Sequence, residues 1–320
     1  MKGRNNTLRR NWAVRILVLL ASVSLVLGGL SMLSARKPYW SGSELSGKIS
    51  TPAPASRSAR NILVAGVTET DGAALAEMVL LINLDLETGK AGIMYLPGNT
   101  LIGADEVRYG RLSGAVNWGT ADEPDGGAAA LADCLADCFV LPVDNYFLFD
   151  MDILPDIAER LGGVRVSLEN ELILSETETL DAGDHIFHSG EVRDLILSTD
   201  AEDIETVNAL RATFMEGIMR AVLGMPEKEV LALVKENKSS IDTDLSVREH
   251  KKLSPSLYEK SGSMIDYFTV PGKTVYGYGS SRLTVWSVRR AEATALINDR
   301  LRAHTDHVLA EDMSVPEIPA

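Results

Sequence analysis

The chain has 320 residues, 45% of them apolar, and a formal net charge of −14, which is room for one large domain or two small ones around a sizeable core. Seven of its 31 Lys and Arg lie in residues 1–37, a stretch without acids, so the remainder carries 24 basic against 45 acidic residues, a net −21. So acidic a body excludes non-specific nucleic-acid binding, which needs Lys and Arg to neutralise phosphates, and two cysteines are too few for an exported disulfide scaffold.

In chain order, residues 1–15 are a basic segment and residues 16–33, "ILVLLASVSLVLGGLSML", are uncharged. Eighteen such residues are about the minimum that spans a bilayer core. Basic residues flank the run, more of them before it than after. The positive-inside rule therefore puts residues 1–15 in the cytoplasm, a transmembrane anchor at 16–35 and the rest outside. A cleaved signal peptide is the rival reading, but the run is long for one and "LSA" at 33–35 is a poor cleavage site. Residues 36–59, rich in Ser, Pro and Gly, read as a linker.

Order is expected from Arg60. "NILVAGV" (61–67) and "MVLLINLD" (78–85) are continuous apolar runs, as expected of strands covered on both faces, and "AGIMYLP" (91–97) returns after the turn "ETGK". A polar, Gly-rich loop at 103–127 follows. In the next helix Leu131, Cys134, Leu135, Cys138 and Phe139 recur at i, i+3, i+4, i+7 and i+8, a buried stripe in which the thiols pack as small apolar groups. An i,i+4 disulfide there has awkward geometry.

"VDNYFLFD" (143–150) is another strand. "DILPDIAERLGG" is a helix unit with Asp152 as its cap, Pro155 in its first turn and Gly162-Gly163 at its end, and "VRVSLE" resumes a strand. "TLDAGDHIFHSG" (179–190) reads as edge strands and turns. From 203 to 223 a long amphipathic helix aligns Ile204, Val207, Leu210, Phe214, Ile218 and Val222. "PEKEVLALVKEN" is a further helix, residues 246–262 give more helical turns, "MIDYFTVPG" a strand and "SVRRAEATALINDRLRAH" a last helix. The acidic tail 305–320, with two prolines, is expected to fray. Alternating strands and helices imply one α/β layered domain over residues 60–304, a central mixed sheet with helices on both faces.

No P-loop, G-x-G-x-x-G after a strand, G-x-S-x-G or H-E-x-x-H occurs. The five histidines are scattered and read as solvated. The acidic stretches 121–127 and 198–205 read as loops and helix starts rather than metal sites.

The order of elements resembles the LytR-CpsA-Psr (LCP) family, also described as cell envelope-related transcriptional attenuator domains. The likeness rests on "NILVAGV", "EMVLLINLDLETGKAGIMYLP", "GRLSGAVNWGT" and above all "LPVDNYFLFD" with "ERLGGVRV". "LDAGDHIFHSGEV", "TDLSVREHKKL" and "DYFTVPGKTVYG" extend it to residues 60–300. The resemblance implies an extracytoplasmic phosphotransferase that moves a glycopolymer from a polyprenyl-phosphate carrier to peptidoglycan. The carrier's lipid would lie in an apolar tunnel between sheet and helices. Its pyrophosphate would be held by arginines and by Mg²⁺ bound through aspartates, since phosphoryl transfer is mostly positioning and charge neutralisation.

The charged positions depart from that pattern. Where the family has Asp-Thr with an upstream Arg, this chain has Glu77, Met78 and Leu75. Where it has Pro-Arg-Asp-Thr, this chain has Pro97, Gly98, Asn99 and Thr100. Arg111 matches a family lysine and Glu159 a family Asp. Ser198 and Asp200 stand where arginines are expected, and Arg211 is the one arginine in "DIETVNALRATF". By these matches Asn99 and Glu77 take the catalytic positions and Glu77 the Mg²⁺ position. Arg111, Arg108, Arg211, Gly98 and Ser198 take the phosphate-binding positions, with Arg193 as a further basic group. Two readings stand: a divergent transferase with a degenerate site, or a non-catalytic protein that binds polyprenyl lipid or regulates its relatives.

Overall fold

The computed structural model describes residues 59–319 apart from 71–72, 86–89, 104–109, 118–126, 174–178, 198–203, 225–226, 245–264 and 303–305. The cytoplasmic segment, the anchor and all but the last residue of the linker lie outside the described residues, as do the helical turns expected at 246–262. Among the described residues no helix is long and apolar enough to cross a membrane.

The apolar runs form three antiparallel strands, β1 (Ala59–Thr70), β2 (Ala73–Asp85) and β3 (Ala91–Pro97). After them come helix α1 (Ala128–Phe139), β4 (Asn145–Asp150), α2 (Leu154–Arg160) and β5 (Val164–Leu168). The two-residue strands β6 (Leu172–Ile173) and β7 (Thr179–Leu180) pair with each other, and β8 (Gly183–Phe187) pairs with β5. The chain continues through α3 (Ile204–Gly224), α4 (Glu227–Glu236), β9 (Ile241–Thr243) and β10 (Ile265–Thr269). It closes with the hairpin β11 (Gly272–Tyr278) and β12 (Leu283–Val288) and helix α5 (Arg290–Arg300). The main sheet has the order β10-β3-β2-β1-β4-β9. It is mixed, because β4 runs parallel to β1 and β10 parallel to β3, while β9 is antiparallel to β4.

Successive strand side chains point to opposite faces, so each run feeds two cores. Val64, Leu80, Ile82 and Phe147 meet Leu154, Phe214, Ile218 and Leu233 of α2, α3 and α4. Leu63, Leu81, Leu96 and Leu148 meet Leu131, Leu135 and Phe139 of α1 and Ile297 of α5. Helices cover both faces, which explains why the strands show no polar alternation. The cysteine stripe is as expected: both thiols are buried and free, with their sulfurs 4.0 Å apart.

Four expectations are corrected. The polar loop contains a 3₁₀ helix, Leu112–Asn117, with Leu112 and Ala115 buried under the second core. The cap before α2 is Asp150, whose carboxylate accepts the Asp152 N–H at 2.9 Å, because a 3₁₀ turn at Met151–Ile153 intervenes. The last helix starts at Arg290, after β12 has taken Ser287 and Val288. Finally, the tail is docked: Val308, Met313 and Val315 are buried, and the Ile318 N–H donates to Ser287 Oγ.

Candidate functional site: a buried polar clasp at the end of the sheet

The β1–β2 ladder shifts register between Gly66 and Val67. Gly66 faces Met78 and Val67 faces Ala76, so Glu77 is the extra residue of a β-bulge. A bulge re-aims the side chain it carries, and bulges recur beside functional sites. One strand over, the β2–β3 ladder ends at Met78 opposite Pro97, and the chain passes into Gly98, Asn99 and Thr100.

That loop is held from both sides. Thr100 N–H and Oγ1 donate to the Pro97 carbonyl at 2.9 and 2.6 Å. Trp286 N–H donates to Asn99 O and Leu101 N–H to Trp286 O, so the segment continues as a short partner of β12. Ser113 N–H donates to Gly98 O at 2.7 Å from the 3₁₀ helix. A Cβ on Gly98 would stand 2.8 Å from the carbonyl oxygens of Ala76 and Glu77. No side chain fits without backbone movement, so the arginine that the family pattern places here has no room. Gly98→Ala is expected to cost about 1–3 kcal/mol by overpacking, measured as a fall in the urea midpoint.

The opposite wall is α3. Asn208 and Arg211, three apart, share one face of it. Asn208 Nδ2 donates to Asn99 Oδ1 at 2.9 Å. Arg211 Nη1 donates to Glu77 Oε2 at 2.9 Å and its Nε to the Ile196 carbonyl at 3.0 Å. The Arg211 side chain is 3% exposed and that of Glu77 20%, so the carboxylate lies on the outer side. Tyr95 of β3 is fully buried beneath them. Burial pushes its hydroxyl well above the usual tyrosine range, while Arg211 draws it down and Glu77 raises it. Tyr95 Oη and Asn99 Nδ2 are buried with no hydrogen-bond partner among the described residues.

Glu77, Gly98, Asn99 and Arg211 are therefore brought together. Arg111 is exposed, and its backbone bridges to Leu101 beyond the loop. Arg193 is exposed and donates to Ser189, and Glu159 lies exposed on α2. Arg108, Ser198 and Asp200 fall outside the described residues. Sequence reasoning missed Tyr95 and Asn208. Their signal was a hydroxyl in an otherwise apolar strand and an amide one turn before the only arginine of the helix start.

The donors do not suit Mg²⁺, which wants near-octahedral oxygen ligation with one or two carboxylates. Glu77 already has its charge matched by Arg211, Asn99 is neutral, and no group of three His, Cys, Asp or Glu gathers among the described residues.

Below the clasp, α3 forms one wall of an apolar cavity of about 80 Å³. Met215, Ile218 and Met219 face Val64, Phe147 and Phe149 of the sheet across it. One helix thus carries both the buried cation and, a turn later, the apolar wall.

A mixed sheet with helices on both faces, a polar clasp at its end and an apolar cavity between sheet and helices defines the class of protein. The model of the LytR_cpsA_psr family matches residues 34–195, half of the chain, and the chain belongs to that family. Among solved structures it resembles TagV of B. subtilis at 15% identity and TM-score 0.56, covering 79% of this chain and 100% of TagV. It resembles gbs0355 of Streptococcus agalactiae at 13% and 0.56, over 81% of this chain and 92% of the other. TagT bound to LIIa-WTA matches at 13% and 0.55, over 77% and 92%. At such identities the likeness is one of fold. No curated protein matches the chain by sequence.

Proposed function

We propose that this protein acts in cell-envelope glycopolymer assembly by holding a polyprenyl-phosphate-linked glycopolymer, its lipid in the cavity beneath α3. The observation that carries the reading is the cavity itself, walled by Val64, Phe147, Phe149, Met215, Ile218 and Met219. Family membership supports it, as does the fold shared with TagT, a structure bound to LIIa-WTA (WTA, wall teichoic acid). At about 80 Å³ the cavity takes a few methyl groups, so a long lipid has to spread α3 and α4 from the sheet. The flexible thioethers of Met215 and Met219 suit that repacking. An anchor at residues 16–35 would keep the domain on the outer membrane surface, beside lipid carrier and peptidoglycan.

Binding without turnover is the favoured form. Phosphoryl transfer needs cations on the phosphate oxygens, and the buried cation of the clasp is already paired. Each missing charged hydrogen bond forfeits about 1.5–3 kcal/mol. One observation favours transfer instead: Glu77 is partly exposed and among the described residues only its Oε2 accepts a hydrogen bond, from Arg211, so its other oxygen is open to the proton of an acceptor hydroxyl.

The test is mass spectrometry of the full chain extracted from membranes. A polyprenyl phosphate should co-purify and be lost from Met219→Trp, which fills the cavity. Wild type without lipid, or equal lipid in the variant, would sink the reading. Turnover of a lipid-linked glycan onto peptidoglycan fragments by the same preparation would establish the transferase form.

A further inference from the structure

Arg211 is buried to 3% of its side-chain surface and meets one carboxylate oxygen, through Nη1, rather than both. Guanidinium groups favour a two-oxygen fork, and a buried cation is costly unless paired. Two more donors in the same corner, Tyr95 Oη and Asn99 Nδ2, have no partner among the described residues. Among the described residues the corner thus offers more donors than acceptors, and its one negative group is the bulge residue between Arg211 and solvent. Such a corner suits an anion with several acceptor oxygens better than it suits the single oxygen it receives.

We propose that Glu77 is the resident, intramolecular occupant of an oxyanion site built on Arg211, and that a phosphate-bearing ligand has to displace it to bind. The carboxylate keeps the guanidinium neutralised, and the bulge lets it withdraw without breaking the strand ladder, because Glu77 has no ladder partner on β1. This deepens the lipid-phosphate reading by supplying the regulation of that site, but its test contains no lipid.

Take the full chain in detergent and replace Glu77 by Ala, which uncovers Arg211 and leaves it unpaired. In buffer without oxyanions the variant should melt below wild type. Inorganic pyrophosphate should then raise its Tm in a concentration-dependent way, as a ligand of the folded state does, with little effect on wild type. By calorimetry the variant should bind pyrophosphate about tenfold or more tightly than wild type, the worth of one charged hydrogen bond no longer contested. The double variant Glu77→Ala/Arg211→Met should lose this response. Glu77→Gln, which keeps the shape, is measured in the same way should the alanine variant not fold. Equal pyrophosphate affinity in wild type and both Glu77 variants would overturn the proposal, as would an undiminished response in the double variant. A lipid-free wild type with a responsive Glu77→Ala would sink the lipid reading alone.

Discussion

Replacing Gly217 with leucine is expected to cost about 3 kcal/mol or more, and Gly217→Ala should also destabilise, against the sign that helix propensity gives. Glycine inside a helix is worse than alanine by about 1 kcal/mol, so on an exposed face the alanine variant would gain. Here α3 crosses β5 so closely that a Cβ on Gly217 would stand 2.2 Å from the Arg165 carbonyl oxygen and 2.8 Å from Val164 Cγ1. Strand β5 has little freedom to yield. It is paired along its length with β8, and Phe187 of β8 packs against Phe214 of α3, ring centroids 6.4 Å apart. The helix would have to lift, and with it would go Arg211 and the Met215–Met219 wall. Urea unfolding should show the lower midpoint in both variants. An alanine variant as stable as wild type would mean that helix and strand stand further apart than this.

Much of this fold is legible in the chain, for a physical reason. Strands buried on both faces have to be apolar throughout, and "NILVAGV", "MVLLINLD" and "AGIMYLP" are so without ambiguity. The stripes of α1 and α3 are equally plain, and Val207, Leu210, Phe214 and Ile218 are buried as their spacing predicts. The clasp was legible only in part. Glu77, Gly98, Asn99 and Arg211 were picked out by matching a family pattern, residue by residue. What they do depends on a bulge, which is a mismatch between two strands and is written in neither alone. Nor does any local signal say that Gly98 is backed by two carbonyl oxygens. The hairpin of β11 and β12 escaped because its register shift and its left-handed residues Gly277, Gly279 and Arg282 interrupt any clean alternation. The tail misled through its composition. Acids and prolines suggest fraying, yet three apolar residues among them suffice to dock it.

Removal of residues 306–320 is expected to lower stability by about 2–4 kcal/mol, the difference between a larger gain from burial and a larger loss of chain entropy. Val308, Met313 and Val315 are exposed to 6%, 1% and 0%, and full burial of such side chains is worth about 1.5–3 kcal/mol each. Ordering the segment costs chain entropy, which offsets part of this. Polar ties make up part of the difference. Asn298 clamps Val308 in both directions, Nδ2 to the carbonyl at 2.8 Å and Oδ1 from the N–H at 3.0 Å. Ser314 Oγ donates to the Asp137 carbonyl of α1 at 2.9 Å, and Glu317 pairs with Arg290 of α5. The segment therefore joins α1, α5 and β12 over the second core, and its loss bares Ile297 and Ala293 beneath it. Thermal unfolding should show a Tm lower by roughly 5–15 °C for a domain of this size. Val315→Asp, which drives a charge into the same core, should do similar damage with the tail intact. Arg211 lies on α3, which packs with Tyr95 in the first core, so pyrophosphate binding by Glu77→Ala should survive both changes below their melting temperatures. A truncated chain with the Tm of wild type would show that the tail rests on the second core without supporting it.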